Sequence, residues 1–251
     1  MALGVQFRPL FAVRGITLAP LRERWREEYP RVEEQPPLAP GIEGPLAPGL
    51  GLAIGFGPVP SARHWFLSED GANLVQVQND RLIVNWRQGD NAAPYPRYER
   101  MRAVFETRVQ EFASFLKDEQ LGSLEIVQAE VNYINAVPVE AGEQGRLGRL
   151  LRAWGGTAGH HLGEPEQARV TLAFALPDVG QPPVRLHVAV DPAQRPDGAP
   201  VLFMTLTARG APNGRAVEDA LKFLDEAHDH VTQSFLELTP DTMHTIWGLR
   251  H

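Results

Sequence analysis

Cysteine is absent from this chain of 251 residues. Its absence excludes disulfides, thiolate zinc sites, thiol nucleophiles and cysteine-bound iron–sulfur clusters, and it is typical of proteins in a reducing compartment. Lysine is almost absent as well, since only Lys117 and Lys222 occur. Arginine therefore carries nearly all of the positive charge. Contacts with anions are expected to use arginine, whose planar guanidinium can grip a carboxylate or phosphate at two points.

Long apolar runs are also missing. None approaches the roughly 20 residues that span a bilayer, and Met1–Leu10 lacks the basic stretch and apolar core of a secretory signal. We therefore expect a cytoplasmic protein that does not enter membranes. The net charge of −7 argues against a general affinity for nucleic acids, whose phosphates repel an acidic protein.

Alternation of apolar and polar residues predicts several strands. The clearest pattern is a hairpin, in which Leu74–Gln78 and Leu82–Trp86 alternate on either side of the turn residues Asn79-Asp80. Other strands are expected at Phe11–Leu18, Ile126–Val137, Arg169–Leu176, Val184–Val190 and Val201–Ala208.

Apolar residues three and four positions apart predict two long helices. One carries the stripe Met101, Phe105, Val109, Phe112 and Leu116, and the other runs from about Arg215 to Leu238. Short helices are expected after Pro20, at Arg146–Trp154 and at Asp241–Leu249. The proline- and glycine-rich stretch 30–60 predicts an irregular connection, with one strand near Leu50–Phe56. It is a candidate functional loop, although a variable surface insertion explains it more simply.

The order of these elements predicts an α+β fold. Strand, helix, strands and long helix occur once before Leu121 and again after it. Sequential strands joined by short turns favour antiparallel pairing. We expect one large antiparallel sheet with the two long helices on one face. The chain is predicted to be a single compact domain, 1–251, with pseudo-repeat halves 1–121 and 122–251.

Several short motifs, in this order, resemble a sporadically distributed family of uncharacterised bacterial proteins of about this length. They are Gln76-Val77-Gln78 with Asp80-Arg81, Asn85-Trp86-Arg87, Tyr95-Pro96-Arg97-Tyr98, Tyr133-Ile134-Asn135 and Phe223-Leu224-Asp225-Glu226-Ala227-His228. The resemblance covers most of the chain and implies no activity and no catalytic residues. Sporadic distribution is typical of mobile genes, so it associates the protein with antiviral defence, toxin–antitoxin or immunity systems.

Residue patterns for catalysis are weak. His160-His161 with Glu164 and Glu166 lacks the spacing of a metal site, and an exposed loop is the better interpretation. His228 lies on the apolar stripe of its helix, whereas His230 points about 160° away, so the two do not converge. We expect His228 to be a hydrogen-bonded core residue. No nucleophile elbow or phosphate-binding loop is present, and we predict no metal and no cofactor.

The alternation also predicts a second, polar face of the sheet. If Val75, Val77, Leu82, Val84 and Trp86 face the helices, the residues between them face away. The candidate binding residues on this face are Gln76, Asn85, Arg87, Asn132, Arg185 and Thr205. Arg87 is the preferred anchor, since arginine is enriched at interface hot spots. Simple solvation of this face is an equally good interpretation.

Two functions follow from these observations. The favoured one is a non-enzymatic interaction protein that binds a macromolecular partner. We expect this partner to be a protein rather than a nucleic acid, and homo-oligomers are a further candidate assembly. The alternative is a small-molecule hydrolase with a loop site near Tyr95–Arg97 or His160–His161. A deep pocket with converging titratable groups would favour the enzyme, and a broad shallow surface would favour the binding protein.

Overall fold

The computed structural model describes residues 1–39, 41–44, 61–88, 94–140, 145–154, 161, 165–195 and 197–247. The strands are β1 Ala2–Phe7, β2 Arg31–Gln35, β3 Arg63–Leu67, β4 Asn73–Gln78, β5 Arg81–Trp86, β6 Ile126–Pro138, β7 Val170–Ala175, β8 Gln181–Gln194 and β9 Pro200–Ala211. The helices are α1 Ala19–Trp25, α2 Arg97–Asp118, α3 Val217–Leu238 and α4 Asp241–Ile246.

All nine strands form one antiparallel sheet in the order β2-β3-β4-β5-β1-β6-β9-β8-β7. The predicted α+β class and the large antiparallel sheet are therefore confirmed. The sheet has two ends, β2 and β7, and its centre is the pair β1 and β6. Within the described residues, no helix is long and apolar enough to cross a bilayer.

The strand order has an internal regularity. In each half of the sequence the first strand pairs with the last one: β1 pairs with β5, and β6 pairs with β9. The other strands then follow outward in reverse order, and a helix of 22 residues ends the series. The division into halves 1–121 and 122–251 of one domain remains a prediction, and this strand order is compatible with it.

The core lies between the sheet and the two long helices. Phe105 and Phe112 of α2 and Leu224 of α3 are fully buried. Helix α2 packs on β1 and β5, α3 packs on β6 and β9, and the two helices contact each other. Both helices therefore cover the same face of the sheet, because they touch one another while each rests on the central strands. Their apolar stripes, which the 3.6-residue period had indicated, face the sheet.

Two local predictions are wrong, and a third lies outside the described residues. The segment Phe11–Leu18 is not a strand, because Thr17 Oγ1 accepts the Arg14 N–H at 2.9 Å and closes a 3₁₀ turn over Gly15–Leu18. The helix expected at Arg146–Trp154 is a 3₁₀ turn of three residues, Leu147–Arg149. The strand expected near Leu50–Phe56 lies outside the described residues.

Candidate functional site

The second face is the face of the sheet turned away from the helices, and strand register defines its members. Gln76 lies opposite Ile83, and Asn132 lies opposite Thr207. Arg185 lies opposite Arg209. Side chains one residue along from these, such as Val75 and Val131, are buried against the helices. The alternation in the sequence therefore assigns these residues to the correct sides of the sheet.

Gln76 and Asn85 form a closed polar cluster on the first half of this face. Gln76 Nε2 donates to Asn85 Oδ1 at 2.6 Å. Gln76 Oε1 accepts from Arg63 Nη1 at 2.8 Å and from Trp65 Nε1 at 3.0 Å. Gln76 is buried, so these bonds replace the water that its amide has lost.

A short stretch of chain crosses the second face, and we call it the strap: residues 36–39 and 41–44. Two glutamine side chains form hydrogen bonds with its backbone N–H and carbonyl groups, as the backbone of a neighbouring strand would. Gln78 accepts the Leu38 N–H at 2.9 Å and donates to the Leu38 carbonyl at 3.1 Å. Gln128 accepts the Glu43 N–H and donates to the Gly41 carbonyl, both at 2.7 Å. The polar face is thus partly covered by the protein's own chain.

Glu43 carries the strongest interactions of the strap. Its Oε2 accepts from Arg185 Nη1 at 2.7 Å, and its Oε1 accepts from Arg209 Nε at 2.8 Å and lies 2.6 Å from His187 Nε2. The side chain is only 7% exposed. Burial alone would raise the pKa of Glu43, but the hydrogen bonds from Arg185, Arg209 and His187 outweigh it and lower the pKa below its usual value.

Glu130 is a second carboxylate on the same face, in a different setting. It lies opposite Arg209 in the register and packs over Gly4, where an added Cβ would be 3.2 Å from Glu130 Cγ. Among the described residues, none makes a hydrogen bond or ion pair with the Glu130 carboxylate. Burial therefore raises the pKa of Glu130, although the charges of Arg209 and Arg81 oppose the rise.

The remaining candidate residues lie apart from one another. Arg87 is exposed at the end of β5 and donates from Nε to the Gly71 carbonyl at 2.8 Å. Asn132 lies at the centre of the sheet, and its buried Oδ1 has no hydrogen-bond partner among the described residues. Thr205 lies opposite Ile134 on the far part of the second face. The structure therefore brings Gln76 and Asn85 together and leaves the other four candidates separate.

The far end of the second face is not covered by the strap, and we call it the open part. Its members are Ile134, Ala136, Thr171, Ala173, Phe203 and Thr205. Ile134 is 55% exposed and Phe203 is 37% exposed. The surface is apolar or neutral up to its border, where Arg169 and Asp191 form an ion pair at 3.5 Å.

The open part ends at β7, which is an edge strand of unusual composition. Its sequence, Val-Thr-Leu-Ala-Phe-Ala, contains no charged residue and no proline. Four of its residues are exposed: Thr171, Ala173, Phe174 and Ala175. Edge strands in natural proteins are usually protected by charge, proline or a covering element, because free backbone groups otherwise pair with another chain.

Aromatic and polar side chains also cluster where α2, α3 and β6 meet. The ring of His228 stacks on Tyr98 at 3.8 Å between centroids, and the Tyr133 hydroxyl lies 2.9 Å from His228 Nδ1. The Tyr98 hydroxyl donates to Asp225 Oδ1 at 2.7 Å. Three of the motifs behind the family resemblance converge at this cluster. His228 is a hydrogen-bonded, half-buried residue, in agreement with its position on the helix stripe.

The titration behaviour of this cluster suits packing better than catalysis. Burial raises the pKa of Tyr98 and of Tyr133, and the hydrogen bonds to Asp225 and Tyr95 add to the rise. Both hydroxyls therefore stay protonated near neutral pH. Burial also lowers the pKa of His228, so its imidazole is neutral there.

Concave regions of the described surface are open to solvent. One of about 420 Å³ lies between the 3₁₀ turn at Gly15–Leu18, β2 and β3, and another of about 330 Å³ lies beside Trp154 and β7. His161 is exposed, whereas His160 and Glu164 lie outside the described residues. No group of three or more possible metal ligands occurs in the part of the chain that the structure describes.

Comparisons with models of known families, with curated proteins and with solved structures find no match to this chain. The resemblance to a bacterial family therefore remains a prediction, and so do the links to defence systems and the cytoplasmic location.

Sequence reasoning missed Glu43 and Arg209, and it missed that β7 is an edge. Arg209 continues the alternation of β9 by one step beyond the predicted end at Ala208, so a longer strand would have included it. Glu43 stands in an irregular stretch without periodicity, and no local signal marks it. The sequence shows that β7 contains no charged residue, but it does not show which strands lie at the edges of the sheet.

Proposed function

We propose that this protein is a non-enzymatic interaction protein that binds an extended segment of a partner protein along the outer edge of β7. The observation that carries the proposal is the uncharged, exposed edge strand at one end of the sheet, next to the apolar open part. Extended peptides add to such edges by backbone hydrogen bonds, and pockets for alternate side chains supply specificity.

The direction of the backbone groups supports this mode of binding. The Leu176 N–H donates to the Val184 carbonyl of β8 at 2.9 Å. Successive residues of an antiparallel strand direct their backbone groups to opposite sides. Leu172 and Phe174 therefore point their backbone groups toward β8. Thr171, Ala173 and Ala175 point theirs outward, where none of the described residues pairs with them and a partner strand can do so.

The side chains beside this edge indicate the chemistry of the partner. On the second face an added strand would lie next to the open part, with Phe203 and Ile134 two and three strands inward from β7. On the helix side it would lie next to Phe174, which is 41% exposed. Both surroundings are apolar. A partner segment with β-branched or aromatic residues at alternate positions fits both sides.

Arg87 and Gln76 lie on the first half of the sheet, five and six strands from β7 in its order. Their contribution to binding is not part of this proposal and remains a separate prediction. Arg185 and Thr205 lie on β8 and β9, so they are the two sequence-based candidates that a partner at β7 would approach.

The hydrolase alternative has less support. Near Tyr95–Arg97 the tyrosine hydroxyls have raised pKa values and the His228 Nδ1 is engaged by Tyr133. A general base needs a free basic nitrogen, and a tyrosine nucleophile needs a lowered pKa. Neither condition is met by these atoms.

A pair of variants at one position tests the proposal. Ala173→Pro removes an outward N–H without removing a bond to β8, and proline is tolerated at edge positions of this kind. Ala173→Thr keeps the N–H and adds similar bulk, so it is the matched control. Proteins captured by the wild type are purified, and their affinities for wild type, Ala173→Pro and Ala173→Thr are measured by calorimetry.

We expect Ala173→Pro to weaken the affinity at least about tenfold, which is ~1.4 kcal/mol, and Ala173→Thr to change it by less than about twofold. The thermal unfolding midpoints of the two variants should agree with each other, which shows that the fold is retained. A partner that binds Ala173→Pro as tightly as wild type would contradict the proposal, as would the absence of any protein whose capture depends on β7.

A further inference from the structure

Arg185 and Arg209 lie directly opposite each other on β8 and β9, on the second face of the sheet. Like charges at directly opposed positions of an antiparallel pair are destabilising. His187, two residues along β8, adds a third donor to the same spot, since all three side chains reach one carboxylate. The sheet alone would therefore present a cationic cluster that requires an anion between its members.

The anion that fills this cluster comes from outside the sheet. Glu43 belongs to the strap, and its two carboxylate oxygens take one donor from each of the three side chains, at 2.6–2.8 Å. Arg185 Nη1 also donates to the Gly44 carbonyl at 2.7 Å. This arrangement, with arginine donors on both oxygens, is the way proteins bind a free carboxylate or phosphate.

Polar contacts hold the strap to the sheet. They are the hydrogen bonds with Gln78, Gln128 and Arg81, the bond from Arg185 to the Gly44 carbonyl and the ion pairs of Glu43. Of its two largest apolar side chains among the described residues, Ile42 is 56% exposed and Leu38 is half-buried. Release of the strap would therefore cost hydrogen bonds and ion pairs, whose groups water can then solvate.

We propose that Arg185, His187 and Arg209 form a binding site for an oxyanion, and that Glu43 occupies this site as an intramolecular ligand which an external carboxylate or phosphate group displaces. The strap then acts as a competitor for the ligand, and ligand binding frees residues 41–44 from the sheet. Among the described residues, Glu130 is the one further carboxylate beside Arg209, and its negative charge, when present, favours ligands of low charge. This inference does not rest on the proposed function, which concerns the edge of β7.

Removal of the internal ligand gives the first test. Glu43→Gln keeps the length and hydrogen-bonding shape of the side chain but removes its charge. The control is the double variant Glu43→Gln/Arg185→Gln, which lacks one of the cationic donors as well. Inorganic phosphate and acetate are added separately at constant ionic strength, with chloride as the reference, and binding is followed by calorimetry and by the thermal unfolding midpoint.

We expect Glu43→Gln to bind at least one of the two anions about tenfold or more tightly than wild type does, with a matching rise of its unfolding midpoint. The double variant should lose this binding. Preference for acetate would indicate a carboxylate ligand, such as an acidic side chain or a chain terminus, and preference for phosphate would indicate a phosphate group. Equal, weak binding of both anions by wild type and Glu43→Gln would overturn the proposal.

Hydrogen exchange of the wild-type chain gives a second test that does not depend on the folding of a variant. The Leu38 and Glu43 amides donate to Gln78 and Gln128, so they exchange slowly while the strap is in place. Saturating phosphate or acetate should accelerate the exchange of the Glu43 amide relative to chloride. Unchanged exchange with both anions would also overturn the proposal.

Discussion

The edge strands at the two ends of the sheet differ in their content of charged residues and proline. In the first half the edge strand β2 carries Arg31, Glu33 and Glu34, and Pro30 and Pro36 flank it. In the second half the edge strand β7 carries neither charge nor proline. Charge and proline protect an edge from pairing with another chain. The first half therefore ends against solvent, and the second half ends in a surface suited to a partner.

The second face shows the same contrast. On the first half, three side chains of this face are buried: Leu74, Gln76 and Ile83. The strap also forms hydrogen bonds there, between the Leu38 backbone and the Gln78 side chain. On the second half the strap reaches only as far as the Glu43 site, and beyond it Ile134 and Phe203 are exposed. A sheet whose face is covered at one end and exposes apolar side chains at the other can bind an additional element at the exposed end.

The largest expected change in stability concerns the aromatic residues by which the two long helices pack on the two halves of the sheet. Phe112 of α2 is fully buried, whereas Phe235 of α3 is half-buried and contacts the tilted ring of Trp247, with 5.3 Å between centroids. Phe112→Ala should lower the free energy of unfolding by about 3–5 kcal/mol, and Phe235→Ala should lower it by about half as much. Chemical denaturation measures both. Equal losses would show that the two halves are packed to the same degree.

The two glutamates of the second face give the next comparison. Glu43 has a lowered pKa, so its stabilising contribution is complete above the usual value of 4.5 and is lost as the pH falls through the lower folded-state value. Glu43→Gln should therefore cost about 3 kcal/mol at pH 7. The cost should shrink when the pH is lowered below the usual value.

Glu130 should behave in the opposite way. Its pKa is raised, so its contribution to stability is complete below the usual value of 4.5 and is lost as the pH rises through the higher folded-state value. Glu130→Gln should therefore raise the free energy of unfolding by about 1 kcal/mol at pH 7. At low pH it should have almost no effect. Denaturation curves at both pH values test this, and a loss of stability at pH 7 would show that an ion pair holds Glu130.

The smallest effect is expected on the open part. Ile134 is 55% exposed, so Ile134→Thr should change the free energy of unfolding by less than about 0.5 kcal/mol. A cost above about 2 kcal/mol would mean that Ile134 is covered in solution and that the open part is not open.

The parts of the fold that repeat along the sequence could be predicted, and the parts that depend on distant pairing could not. Alternation placed the Leu74–Trp86 hairpin and Ile126–Val137, and helical spacing placed α2 and α3, because both signals come from one side of an element facing the core. The strand Arg31–Gln35 was missed because all but one of its side chains are exposed and the other is half-exposed, so it has no apolar alternation.

The candidate site was predictable to the same extent. Alternation indicated Arg185 on the second face, but it does not reveal that a loop residue 142 positions away in sequence binds Arg185. The pairing of Glu43 with Arg185 follows from the path of the strap across the sheet, which no local pattern encodes. The edge position of β7 has the same origin, since strand order is a property of the whole sheet.

The outward backbone groups of β7 allow the most direct test of the account. Hydrogen exchange of the free protein and of its complex with the captured partner is compared residue by residue. The account predicts that the amides of Thr171, Ala173 and Ala175 exchange freely in the protein alone and become protected in the complex. The amides of Leu172 and Phe174, which already face β8, should change little. Protection confined to β2, or equal exchange of the β7 amides with and without the partner, would contradict the account.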